Sequence, residues 1–233
     1  MIETVFLDAG GVLLFPNWTR VSEALAAHGV QVGPAQLAAA DPHAKYEIDL
    51  ETGRTVKTDQ QRGWRYFNLV LTHAGVPLTE ETDAALAELR EYDAAWNLWE
   101  HVPDDVVPAL DDLRRLGLRL VVVSNANGTL RKVFDRLQLS QHVDLLLDSS
   151  EEGVEKPDPR LFNLALQRAN ARAGTTLHVG DLYFVDVMGA RAAGLAALLL
   201  DATGLYDRYD CPRIQRLGEV ASWVKTRNST SSR

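Results

Sequence analysis

Short runs of consecutive apolar residues, each reaching a polar residue and then a turn, recur along this chain. Between them lie stretches in which apolar positions repeat at helical spacing. The first run, Val5-Phe6-Leu7, ends at Asp8 and passes through Ala9-Gly10-Gly11 into Val12-Leu13-Leu14, the pattern of a buried strand delivering a carboxylate into a tight turn. Residues 17–29 follow as a helix, with Val21, Ala24, Leu25 and His28 on one face and Gly29 to stop it. From about Val30 to Tyr92 no strand is evident. The helical patterns there, among them Trp64–Leu71 and Glu80–Tyr92, are separated by breakers at Gly33-Pro34, Asp41-Pro42 and Gly75-Val76-Pro77. Trp64, Tyr66 and Phe67 are expected in the core of this helical module, and His43-Ala44-Lys45-Tyr46 on a solvated helix face.

Beyond Trp96 the texture alternates. Helices are predicted over 104–116, 129–139, 160–171 and 186–193, and strands over 118–123, 143–147, 176–179 and 195–200. Strands that are apolar on both faces, alternating with helices, argue a parallel sheet covered on both sides. The fold class is therefore α/β, a Rossmann-like parallel sheet with an inserted all-helical cap. The expected boundaries are 1–14 and 96–225 for the α/β core, 15–95 for the cap and 226–233 for a disordered tail, since Thr226 to Arg233 is polar and without pattern.

Composition narrows the partner. In 233 residues the formal net charge is −8, which argues against nucleic acid and anionic membranes and leaves a small molecule as the expected partner, with a homodimer the one assembly considered. No window resembles a membrane span or a secretory signal, and the single cysteine, Cys211, excludes an internal disulfide framework. A cytoplasmic protein is expected.

Candidate chemistry collects at strand ends, because ligands of open α/β sheets sit beyond the carboxyl ends of the strands. Asp8, Ser124 and Asp181 each end an apolar run, and Lys156 lies in the stiff loop Glu155-Lys156-Pro157-Asp158-Pro159. Asp8, Asp181 and Asp186 brought together would repel one another unless a divalent cation neutralised them, and such oxygen ligands suit Mg²⁺. A carboxylate beside Mg²⁺ can attack a phosphoryl group while Lys156, Ser124 and the turn amides at Ala9 and Gly10 hold the other oxygens. Each piece alone is ordinary turn chemistry. Their conjunction, in order at successive strand ends, is specific.

That conjunction resembles the haloacid dehalogenase superfamily. Phe6–Leu13 is similar to its first motif, Val122-Val123-Ser124-Asn125 to its second, Lys156-Pro157-Asp158 to its third, and Gly180-Asp181 through Asp186, with Gly189-Ala190 and Ala193-Gly194, to its fourth. The helical insertion resembles the cap of the subclass in which it follows the first strand. The resemblance implies Asp8 as nucleophile, Ser124 and Asn125 as phosphate ligands and Lys156 as the balancing charge. It also implies Mg²⁺ held by Asp8, the Gly10 carbonyl and Asp181, with Asp186 assisting.

One departure qualifies the match. The family's phosphatases usually carry a second Asp two residues after the nucleophile as general acid and base, and here that position is Gly10. Losing such a group is worth typically ~10²- to 10⁴-fold in rate. The leading expectation is a Mg²⁺-dependent phosphatase of small phosphorylated metabolites acting through an aspartyl phosphate, with His43 or Glu47 of the cap as substitute acids. A 2-haloacid dehalogenase, whose pattern also lacks the second Asp, comes next, and a non-catalytic relative that binds a phosphorylated ligand or a protein is third.

Overall fold

The computed structural model describes residues 1–54 and 59–230. In chain order the strand β1 (Thr4–Leu7) leads to β2 (Phe15–Pro16) and then to four helices, α1 (Trp18–Ala27), α2 (Pro34–Arg54), α3 (Asp59–His73) and α4 (Glu80–Trp96). After β3 (Trp99–His101) strands and helices alternate: α5 (Val106–Arg115), β4 (Arg119–Ser124), α6 (Leu130–Arg136), β5 (Leu145–Asp148), α7 (Ser149–Glu152) and α8 (Pro159–Arg168). β6 (Thr176–Gly180), a π-helical turn (Tyr183–Val187), α9 (Met188–Ala192), β7 (Ala196–Leu200), β8 (Arg213–Ile214) and α10 (Glu219–Thr230) complete the described chain.

Two compact units result, one formed by Met1–Phe15 with the chain from Val102 onward, the other by Pro16–His101. In the first, six strands run parallel in the order β5-β4-β1-β6-β7-β8. Successive strand residues point to opposite faces, yet Val5, Phe6, Leu7 and Leu120 through Val123 are all fully buried, so both faces are covered. β1 is the switch point of this sheet: the chain continues to β4 and β5 on one side and to β6, β7 and β8 on the other. A crevice beyond its carboxyl end is where such a sheet takes its ligand.

The second unit is a helical module with its own core, in which Trp18, Leu25, Leu37, Ala44, Ile48, Phe67, Leu71 and Leu86 are buried. Tyr66 and Phe67 are part of that core with Trp64 packed against it, as their spacing predicts. The expected break at Asp41-Pro42 is corrected: α2 runs on through Pro42. A proline inside a helix costs roughly 3 kcal/mol, but the turn around it is anchored by burial of Leu37, Ala40, Ala44 and Ile48. The buried Asp41 also accepts a hydrogen bond from the Tyr66 hydroxyl and lies 3.3 Å from Lys45 Nζ.

The expected disordered tail over 226–233 is corrected as well. Residues 226–230 continue α10, and 231–233 lie outside the described residues. Asn228 closes the helix onto the chain's beginning: its Oδ1 accepts from Ile2 N at 2.6 Å and its Nδ2 donates to Ile2 O at 3.1 Å. The polar residues that look structureless bond back into their own helix, Ser229 Oγ to Lys225 O at 2.9 Å and Thr230 Oγ1 to Thr226 O at 2.8 Å. No helix among the described residues is long and apolar enough to cross a membrane.

Candidate active site

Asp8 leaves β1 with its backbone still in the sheet, its N–H donating to Val179 O at 2.9 Å. The turn that follows folds back on one carbonyl. Ala9 O accepts from Val12, Leu13 and Leu14 N at 3.3, 2.9 and 2.8 Å, while Gly11 N donates to Leu14 O at 2.8 Å. Gly11 takes φ +82°, a conformation that side chains disfavour, and Gly10 is bridged to Leu14. The Asp8 carboxylate is gathered at one oxygen: Oδ1 lies 2.7 Å from Ala9 N, 2.8 Å from Ser124 Oγ and 2.9 Å from Lys156 Nζ.

Ser124 is brought there by β4, whose pairing with β1 sets Val122 opposite Leu7. Lys156 comes from the loop before α8, and a reciprocal pair ties that loop to the end of β4. Asn125 Nδ2 donates to Lys156 O at 2.9 Å and Lys156 N donates to Asn125 Oδ1 at 2.7 Å. The Asn125 side chain, expected at a phosphate, holds the backbone of the lysine. Lys156 itself is fully buried, its Nζ 2.7 Å from Asp186 Oδ1 and 2.9 Å from Asp8 Oδ1.

Asp181 follows β6 and Asp186 sits in the π-helical turn behind it, a local widening that often marks function. Asp186 is fully buried and closely bonded: Leu182 N donates to Oδ2 at 3.0 Å, and His178 Nε2 lies 3.0 Å from Oδ1. Room for this carboxylate exists because residue 180 has no side chain, since a Cβ there would lie 2.2 Å from Asp186 Cγ. One carboxylate oxygen each of Asp8, Asp181 and Asp186 falls within 4.8 Å of the others, and all three residues are buried.

The electrostatics follow from burial and this one cation. Burial pushes the Asp8 carboxyl up, beyond what Lys156 pulls back. Burial would raise Asp186 too, but Lys156 and the His178 contact outweigh it and hold Asp186 well below the ordinary carboxylate range. Lys156, which burial alone would lower, is held above its ordinary value by Asp186 and Asp8. Three buried carboxylates against one ammonium leave negative charge in excess, and hard oxygen donors at this spacing fit a Mg²⁺ ion.

The two residues expected as substitute acids belong to the helical unit. Glu47 Oε2 is 3.1 Å from His73 Nε2, and the His43 ring packs 5.7 Å from that of His73. Sequence reasoning overlooked His178. Its signal was available, a single polar residue inside the otherwise apolar run Thr176-Leu177-His178-Val179 that leads to Gly180-Asp181.

A family model described as haloacid dehalogenase-like hydrolase matches residues 2–194. The chain belongs to that family. Among its relatives, the haloacid dehalogenase-like hydrolase domain-containing protein 3 of Mus musculus is 36% identical over 127 residues, 54% of this chain and 50% of that protein, so the chain spans half its length. The ribulose-1,5-bisphosphate 5-phosphatase of Halopiger xanaduensis is 32% identical over 191 residues, 76% of this chain and 78% of that enzyme. A HAD-hydrolase structure from Bacillus subtilis, YfnB bound to magnesium, shares the fold at TM-score 0.67 and 18% identity, covering 95% of this chain and 98% of the other.

Proposed function

We propose that this hydrolase removes phosphate from small phosphorylated metabolites, with Asp8 as the nucleophile. The observation that carries the reading is the one-sided bonding of Asp8: Ala9 N, Ser124 Oγ and Lys156 Nζ all reach Oδ1, which leaves Oδ2 to meet phosphorus. Attack by Oδ2 forms an aspartyl phosphate as the ester P–O bond breaks and the departing alkoxide takes a proton from solvent water. Water then attacks that phosphorus, regenerating the Asp8 carboxylate and releasing inorganic phosphate. Lys156 and the Ser124 hydroxyl fix the attacking carboxylate and offset charge beside it. Asp8, Asp181 and the Gly10 carbonyl would hold Mg²⁺, with Asp186 acting behind them through Lys156. Bound there, Mg²⁺ would neutralise the carboxylates and the phosphoryl oxygens as they approach. The phosphatase name of the Halopiger xanaduensis relative supports the same class of substrate.

Gly10 supplies no proton, so a substrate whose leaving group needs none is the natural probe. The wild-type protein with Mg²⁺ is expected to release phosphate from an aryl phosphate, and Asp8→Asn to lose that activity. Full activity of Asp8→Asn rejects Asp8 as the nucleophile. Gly10 also suits a 2-haloacid dehalogenase, and halide release from 2-chloropropionate that survives chelation, without phosphate release, would select that reading instead. Silence on both panels would leave the non-catalytic relative.

A further inference from the structure

His178 lies in the middle of β6, fully buried, where Phe6 of the central strand is its registered neighbour. Its Nε2 is 3.0 Å from Asp186 Oδ1. An ionised carboxylate only accepts, so Nε2 carries the hydrogen. The other ring nitrogen, Nδ1, is buried with no hydrogen-bond partner among the described residues. An unmet buried polar group costs about 1–3 kcal/mol, and the flanking Leu177 and Val179 are apolar, so a residue chosen for packing alone would be apolar too. Phe162 sets the ring plane, edge to face at 4.9 Å.

The hydrogen that Nε2 gives is delivered to an oxygen already shared. Asp186 Oδ1 also takes Lys156 Nζ at 2.7 Å, and Leu182 N holds Oδ2 at 3.0 Å, so the carboxylate cannot turn. The same ammonium reaches Asp8 Oδ1 at 2.9 Å. We propose that His178 is a positioning residue: its hydrogen bond pins Asp186 Oδ1 at the point where Lys156 Nζ bridges it to Asp8, and so keeps the ammonium shared with Asp8. Without that donor Asp186 is held by Leu182 N alone on its backbone side, and the carboxylate can pivot about Oδ2 and carry the ammonium away from the nucleophile. The inference rests on the reading of Asp8 and Lys156 as the reacting pair.

The test compares His178→Leu, which removes the donor, with His178→Gln, whose amide nitrogen stands at the same bond distance from the backbone as Nε2 and restores it. In turnover of an aryl phosphate, His178→Leu is expected to lose ~10-fold or more in kcat with an equal loss in kcat/KM, the mark of an interaction used in the transition state, and His178→Gln to recover most of it. Nitrogen-15 NMR of the metal-free protein supplies the second readout. Wild type and His178→Gln should show the same Lys156 ammonium resonance, assigned by its loss in Lys156→Met, and His178→Leu a shifted one. Wild-type kcat in His178→Leu together with an unmoved Lys156 signal overturns the proposal. So does a wild-type His178 ring protonated at Nδ1 alone, a measurement that stands even where His178→Leu does not fold. Absence of phosphate release by the wild type would defeat the proposed reaction, and the two NMR signals would then decide the role of His178 by themselves.

Discussion

A single methyl group at position 180 would collide with the site. An alanine Cβ there would lie 2.2 Å from Asp186 Cγ and 2.5 Å from Oδ2, inside any tolerable contact. Overpacking a closed site costs typically about 1–3 kcal/mol, and here the atom that must give way is the carboxylate that holds Lys156. Gly180→Ala is therefore expected to lower the free energy of unfolding by that amount, read as a lower urea midpoint at unchanged m-value, and to reduce turnover at the same time. Wild-type stability in that variant would mean Asp186 is not packed against β6. At this scale the sequence was only partly legible. Asp8 and Ser124 could be chosen because each ends an apolar run, and Lys156 because it lies in a loop stiffened by Pro157 and Pro159, and the structure bonds them together with Asp186. The errand of Asn125 could not be read, because it depends on a partner 31 residues away along the chain.

Elements were most legible where burial alone dictates the residue types. β1, β4, β6 and β7 stand in the interior of the sheet, and their runs are apolar on both faces. The two-residue strands Phe15–Pro16 and Arg213–Ile214 carry too few residues to show any period. α10 was hidden for another reason, since its last turns are Ser, Thr, Asn and Arg, whose pattern gives no sign of the distant contact that ties them down. That contact is the Asn228 side chain, which exchanges two hydrogen bonds with the backbone of Ile2. Asn228→Ala should cost about 1–2 kcal/mol, one net contribution for each bond lost. Faster hydrogen exchange at the Ile2 amide would locate the loss, and unchanged exchange there would refute the clasp.

For the whole molecule, the decisive fact is where the chain leaves the α/β unit and where it returns. Both crossings run together as the two-stranded sheet of β2 and β3, and Asn17 N donates to Leu98 O at 2.9 Å just inside them. The helical unit between has a buried core of its own. A chain in which residues 18–97 are replaced by a short turn is thus expected to keep the parallel sheet, giving an α/β circular dichroism spectrum and a cooperative melt. A molten or unfolded product would show that the sheet depends on the insertion.

Interior position in the sheet also sets how Asp8 behaves in time. β1 is bonded along both edges, to β4 and to β6, and Asp8 N continues that ladder to Val179 O. Amides so placed are freed only by openings that part the sheet itself, the rarest a domain makes. The Asp8 carboxylate therefore stands at the end of a strand in the slowest-opening class of the protein, and the looseness that the proposed cycle requires has to come from the loops that meet it.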